Sequence, residues 1–203
     1  MTNEGLLIIL SGPSGAGKGT VLRKYLSENP DTRLSVSATT RAPREGETDG
    51  KEYYFYTKEQ FREAADAGKM LESAEYCGNC YGTPAAPIRE WTESGLDVVL
   101  EIEVQGGAQV KTKRPDAVGI FILPPSLEVL EHRLRKRGTE TEEAIQNRLE
   151  AARREIPEAL RYDYIVVNDD FNLAAERIRK IVFAEKCSAR RNAQLIERML
   201  NND

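Results

Sequence analysis

The stretch "LLIILSGPSGAGKGTVLRKYLSE" (6–28) constrains the fold more than any other part of the chain. Leu6 to Leu10 make an apolar run too short for a helix and suited to a buried strand. Helical spacing takes over at Val21, Leu22, Tyr25 and Leu26. Between the two lies "GPSGAGKG" (12–19), a match to G-x-x-x-x-G-K with a strand before it and a helix after it. Glycines let a backbone wrap an anion, because they tolerate positive φ and carry no side chain. A helix N-terminus adds unpaired N–H groups and the positive end of a dipole. Gly12, Pro13, Ser14, Gly15, Ala16, Gly17 and Gly19 therefore form a phosphate cradle, and Lys18 is set to reach the outer phosphates of a nucleotide. The competing reading, a glycine turn with a solvent-facing lysine, does not account for the strand and helix on either side. One position departs from the pattern. Gly19 stands where Ser or Thr usually follows the lysine, so the hydroxyl that would meet a metal ion or its water shell comes one residue later, at Thr20.

The rest of the chain repeats the strand-then-helix alternation. Residues 97–104, 117–123 and 164–168 read as further buried strands. A helix is expected from about Gly106, and another after Pro124 and Pro125, capped by Ser126, with Leu127, Leu130 and Leu134 on one face. Residues 139–156 are charged and helical, and one long helix is expected from about Asn172 to Met199. Apolar strands alternating with helices predict an α/β fold, a parallel sheet covered on both faces. A polar, β-rich insert at 34–95 breaks the alternation. It carries short strands at Leu34–Ser37 and Glu52–Tyr56, and a helix opened by a Thr57/Gln60 capping box and closed by Gly68.

Composition fits one soluble globular domain of 203 residues with a net charge of -4, which gives no general attraction to nucleic acid. The chain has no apolar run of about 18 residues and no secretory leader, so neither a membrane nor a nucleic-acid partner is expected, and cytoplasmic is the default location. Three cysteines argue against a disulfide framework.

The phosphate loop does not by itself name a reaction, and no N-K-x-D guanine-reading motif of switch GTPases occurs. Further segments narrow the choice. They are "SVSATTRAPR" (35–44), "GKEYYF" (50–55), "GNCYGT" (78–83) and "RGTET" (137–141), in that order. With the phosphate loop they closely resemble the guanylate kinase family, over nearly the whole chain from Leu6 to about Phe183. That resemblance implies a P-loop nucleoside-monophosphate kinase fold with a core (1–33, 96–134, 158–203), a GMP-binding insert (34–95) and a helical lid (135–157). It implies transfer of the γ-phosphoryl group of ATP to GMP, and to dGMP, with Mg²⁺. By position, Arg41, Arg44, Tyr53 and Tyr81 match residues that hold the GMP phosphate, and Ser37, Glu72 and Thr83 those that read the guanine edge. The chemistry agrees: an ionised carboxylate only accepts and suits the guanine N1–H and N2–H₂ donors, while hydroxyls can donate to O6. Lys18, Arg41, Arg137 and Arg148 are the expected catalytic charges. Arg133, Arg137 and Asn168 are expected to join the loop in holding ATP. Phosphoryl transfer depends on positioning and charge neutralisation, so no general base is required, and His132 reads as a helix-surface residue.

Glu101 and Glu103 stand where the family has D-x-D. Two apart in a strand, they are expected on one face, Glu101 with Thr20 toward the Mg²⁺ water shell and Glu103 toward GMP. Cys77 and Cys80 have C-x-x-C spacing. With only Cys187 and His132 remaining, both far along the chain, a zinc knuckle lacks ligands, and the pair reads as a bystander beside Tyr81. Two other readings stay open: a kinase for a different small phosphate acceptor, and a non-catalytic guanylate-kinase-like module that binds phosphopeptides. The second is disfavoured by the presence of Lys18.

Overall fold

The computed structural model describes residues 4–76, 78–136 and 141–201. Strand β1 (Leu7–Ser11) is the centre of a five-stranded sheet of order β2-β7-β1-β8-β9, with β2 at Thr32–Leu34, β7 at Asp97–Glu101, β8 at Val118–Leu123 and β9 at Tyr164–Val167. All its pairings are parallel. The period of two in a strand explains the continuous apolar run. Leu6, Ile8 and Leu10 pack with Val21, Leu22 and Tyr25 of helix α1 (Lys18–Glu28) and with Ala174, Ile178 and Val182 of helix α7 (Phe171–Lys186). Leu7 and Ile9 pack on the opposite face with Ile88 of α3 (Ala85–Glu93) and Val110 of α4 (Val104–Lys113).

A second sheet, of order β4-β3-β6-β5, stands apart from the first. It is built from β3 (Ala38–Thr39), β4 (Tyr54–Phe55), and the antiparallel hairpin of β5 (Met70–Tyr76) and β6 (Asn79–Pro84). Helix α2 (Lys58–Asp66) covers it through Phe61, which packs with Ala38 and Met70. The capping box is present: Gln60 N–H donates to Thr57 Oγ1 at 3.1 Å, and Thr57 N–H to Gln60 Oε1 at 2.9 Å. Gly68, at φ 66°, follows the helix end. Helix α5 (Leu127–Lys136) begins with Val129 N–H donating to Ser126 Oγ. It buries Leu130 and Leu134 against Ile145, Leu149 and Ala152 of α6 (Glu142–Glu155). A 3₁₀ turn at Ile156–Arg161 then leads into β9. Among the described residues no helix is long and apolar enough to cross a membrane.

Several expectations are corrected. The strand expected at 97–104 ends at Glu101, level with Leu10; only Ser11 of β1 follows, so residues 103 and 104 have no strand beside them. Helix α4 starts at Val104, ahead of the expected Gly106. The strand expected at Leu34–Ser37 divides: Thr32–Leu34 pairs with β7 in the core sheet, and Ala38–Thr39 with β6 in the other. The single helix expected over 172–199 is two, α7 and α8 (Ala193–Asn201). The break follows from competition for backbone carbonyls: Asn192 Nδ2 donates to the carbonyls of Lys186 and Ser188, each at 2.9 Å, and Arg191 reaches Glu185 and the Asp116 carbonyl. The β5–β6 hairpin and α3 were not read from the sequence as separate elements, and α3 packs on the core sheet rather than on the second one.

Candidate active site

The phosphate loop occupies the point where β1 ends and α1 begins. Gly12, Gly15 and Gly17 have φ of 148°, 91° and 90°, where side chains are strained. A Cβ on Gly12 would stand 2.2 Å from the Ile122 carbonyl oxygen, so glycine is needed there on two counts. Lys18 begins α1, and its ammonium donates to the carbonyls of Gly12 and Pro13 within its own loop. Around it opens a polar cleft lined by Pro13, Ser14, Thr20, Arg23, Glu101 and Glu103 among others, with about 600 Å³ of space continuous with solvent.

Glu101 ends β7 on the wall of this cleft. Its surface is open, yet the dense protein around it pushes its carboxyl above the usual range; Lys18 opposes that rise and Glu103 adds to it. Glu103 is not in the strand. It is the N-cap residue of α4, at φ -71° and ψ 162°, so the argument for a common strand face does not hold. Both carboxylates line the same cleft all the same. Thr20 is exposed on the first turn of α1 and accepts from Arg23 at 3.3 Å.

The arginines expected in the lid take different positions. Arg148 of α6 donates to Ser14 Oγ at 2.9 Å, which brings the lid helix onto the phosphate loop. Arg133 of α5 donates to the Ala16 and Asn168 carbonyls, and Asn168 is itself buried against the loop. Arg137 lies outside the described residues, as does Cys77.

A second cluster lies in the smaller sheet. Arg41 has its guanidinium carbon 5.4 Å from the centre of the Tyr53 ring, and Tyr53 meets Tyr81 edge-on at 6.3 Å. Glu47, which sequence reasoning missed, pairs with Arg41 through two bonds of 3.0 and 2.9 Å and also accepts from the Arg44 backbone N–H at 2.8 Å. These bonds, the Arg41 pair first, hold Glu47 below the usual carboxylate range. Its place in "PREGE" carries no signal in sequence; only the loop's return brings it to Arg41. Arg44 thus contributes its backbone N–H, and its side chain is exposed.

Glu72 and Thr83 face each other across β5 and β6. Thr83 Oγ1 donates to Glu72 Oε1 at 2.7 Å, and the two residues are 6% and 0% exposed. Burial, the larger influence, pushes the Glu72 carboxyl up; the Thr83 bond and the charge of Lys113 pull it down. Gly106 of α4 passes so close that a Cβ there would stand 3.0 Å from Glu72 Oε2. Gln109 of the same helix donates to the Ser73 carbonyl and accepts from its N–H, tying β5 to the core. Ser37 stands just before β3, with its carbonyl accepting from Tyr54 N–H. Cys80 lies on β6, hydrogen-bonded through its backbone to Thr40.

A glycine loop ending in Lys18 stands in the core, and an arginine–tyrosine cluster and a buried carboxylate stand in the insert. A sequence profile described as Guanylate kinase matches residues 4–185. The chain belongs to the guanylate kinase family. It is 50% identical over 195 residues to a guanylate kinase of Desulfitobacterium hafniense, covering 96% of this chain and 98% of that one. It is 54% identical over 186 residues to a guanylate kinase of Streptococcus thermophilus, covering 91% and 89%. The crystal structure of guanylate kinase from Anaplasma phagocytophilum superposes with a TM-score of 0.75 at 35% identity, covering 97% and 95%. As a member of this family the chain has the P-loop nucleoside-monophosphate kinase fold, with the parallel sheet and the helices described above.

Proposed function

We infer that the protein is a guanylate kinase that transfers the γ-phosphoryl group of ATP to GMP, and to dGMP. The observation that carries this reading is the Glu72–Thr83 pair, an acceptor-only group beside a hydroxyl in a buried wall. Guanine presents two donors and one acceptor on the edge that would meet it, and adenine would leave the carboxylate unpaired there. Ser37 and Glu103 complete the GMP side of this proposal. Arg41 with Tyr53 and Tyr81 would take the GMP phosphate, for which a forked guanidinium is suited. Arg44 would reach it with its exposed side chain.

On the ATP side, the loop from Gly12 to Thr20 and Lys18 would hold the phosphates. Arg148, already on the loop through Ser14, and Arg137 would add positive charge where the transferred group passes. The protein's part in such a reaction is to align donor and acceptor and to neutralise charge. The insert (34–95) and the lid (135–157) would exclude water as they close over the two nucleotides.

Mg²⁺ fits the donor set. Thr20 and Glu101 offer hard oxygen ligands beside the loop, and among the described residues no group of three or more His, Cys, Asp or Glu side chains forms a protein-only metal site. An ion that keeps its waters and arrives with the nucleotide suits such a site. Thr20 and Glu101 would hold it through its waters, and it would supply positive charge that offsets that of the phosphates.

The test is a coupled assay that offers ATP with GMP, dGMP, AMP, CMP and UMP. Turnover is expected with the two guanine nucleotides and not with the others. Absence of turnover with GMP defeats this reading, and preference for another acceptor replaces it.

A further inference from the structure

Asn168 and Arg133 converge on one atom of the phosphate loop, the carbonyl oxygen of Ala16. Asn168 Nδ2 donates to it at 2.8 Å and Arg133 Nη1 at 3.3 Å. Arg133 Nη2 also donates to the Asn168 carbonyl at 2.9 Å, which closes a triangle between α5, the end of β9 and the loop. Asn168 is 4% exposed and Ala16 0%, so the bond between them is shielded from water, while the two Arg133 bonds are half-buried. Asn168 is itself fixed by its N–H on the Leu123 carbonyl at 2.8 Å, in line with the sheet ladder.

A trans peptide is planar, with its C=O and N–H pointing in opposite directions. Holding the Ala16 carbonyl against Asn168 therefore turns the Gly17 N–H the other way, toward the cleft that Gly17 and Lys18 line. Among the described residues that N–H has no protein acceptor. Gly17 sits at φ 90°, and with no side chain the peptide before it has little of its own to fix its orientation. The contact is close enough that a Cβ on Gly17 would stand 2.4 Å from Asn168 Nδ2.

We propose that Asn168 and Arg133 are positioning residues that serve ATP through the loop, by holding the Ala16–Gly17 peptide so that its N–H faces the phosphates. This rests on the reading of the loop as the ATP site, and it differs from that reading's direct contacts between these two side chains and the nucleotide. A residue that touched only adenine would leave a base-free polyphosphate unaffected. A residue that aims the loop's N–H affects every phosphate chain bound there.

The test measures binding of ATP and of inorganic tripolyphosphate by calorimetry in the presence of Mg²⁺, for the wild type, Asn168→Ala, Asn168→Asp and Arg133→Lys. Asn168→Asp keeps the shape but cannot donate when ionised, and Arg133→Lys keeps the charge but not the fork. Loss of a hydrogen bond that holds the loop in each variant is expected to weaken both ligands by a similar factor, on the order of tenfold. The KM for GMP is expected to stay as it was, which also shows that the variants fold. ATP binding that falls while tripolyphosphate binding holds would overturn the proposal in favour of direct adenine contact. Unchanged binding of both ligands would overturn it as well. A wild type that binds neither ligand would instead defeat the underlying assignment of the loop.

Discussion

Replacing Glu72 by Gln tests the chemistry of the proposed guanine site with almost no change of shape. Glu72 Oε1 already accepts from Thr83 at 2.7 Å, and Oε2 lies toward Gly106, where a Cβ would stand 3.0 Å from it. An ionised carboxylate facing guanine N1–H and N2–H₂ forms charge-assisted bonds worth about 1.5–3 kcal/mol each. Glutamine weakens one of them to a neutral bond and turns an NH₂ toward a donor. A net loss of about 3 kcal/mol, roughly a hundredfold in the KM for GMP, is the expected result. The KM for ATP should not follow.

Stability should move in the opposite direction. Burial raises the Glu72 carboxyl above its ordinary value. Its contribution to stability is therefore full below the unfolded value, about 4.3, and is lost as pH rises through the folded one. Without nucleotide at neutral pH, Glu72→Gln should melt at or above the wild type, and the gap should close near pH 4. Saturating GMP should reverse the order. The KM for GMP of the wild type should rise as pH falls through the raised value, since binding needs the ionised form. A coupled assay with each nucleotide varied in turn, and melting curves at the two pH values, decide the matter. Equal weakening of ATP and GMP, or an unchanged KM for GMP, would refute the role assigned to Glu72.

Three further outcomes follow from particular side chains. Lys18→Ala removes the one ammonium on the phosphate loop, and turnover should fall by at least about a hundredfold in the same assay. None of the side chains of α8 is buried, so deletion from Ala193 onward should shift the melting temperature by less than about 2 °C and leave the KM for both nucleotides unchanged. Arg135 holds Glu142 at a pKa of about 2, with Gln146 helping. The interaction is favourable above the ordinary carboxylate value and is lost as pH falls toward 2, so a Glu142 resonance followed by NMR should titrate near 2 and return to about 4.3 in Arg135→Gln.

Features governed by neighbours in sequence were legible without coordinates. The strand–loop–helix of residues 6–28, the Thr57/Gln60 box and the Ser126 cap each rest on contacts within a few residues, and each stands in the structure. The motif order "TTRAPR", "GNCYGT" and "RGTET" carried the family, which the comparisons bear out over most of the chain. Where the chain folds back on itself, local pattern failed. The residues 187–192 keep helical composition, yet Asn192 spends its donors on the nearby carbonyls of Lys186 and Ser188, Arg191 reaches the distant one of Asp116, and the helix breaks. Glu103 reads as a strand residue until β1 ends and leaves the ladder without a partner.

The amino-acid sequence by itself determined that this protein has a phosphate loop on a parallel sheet, and which residue types stand at each motif position. Tertiary structure decided which atoms those residues meet. Only the return of the insert's loop sets Glu47 on Arg41, and only the β5–β6 register sets Thr83 on Glu72. Only the packing of α5 and β9 on the loop brings Asn168, 152 positions away, onto the carbonyl of Ala16. Such contacts are fixed by how buried surfaces fit together, and no local spacing in the chain encodes them.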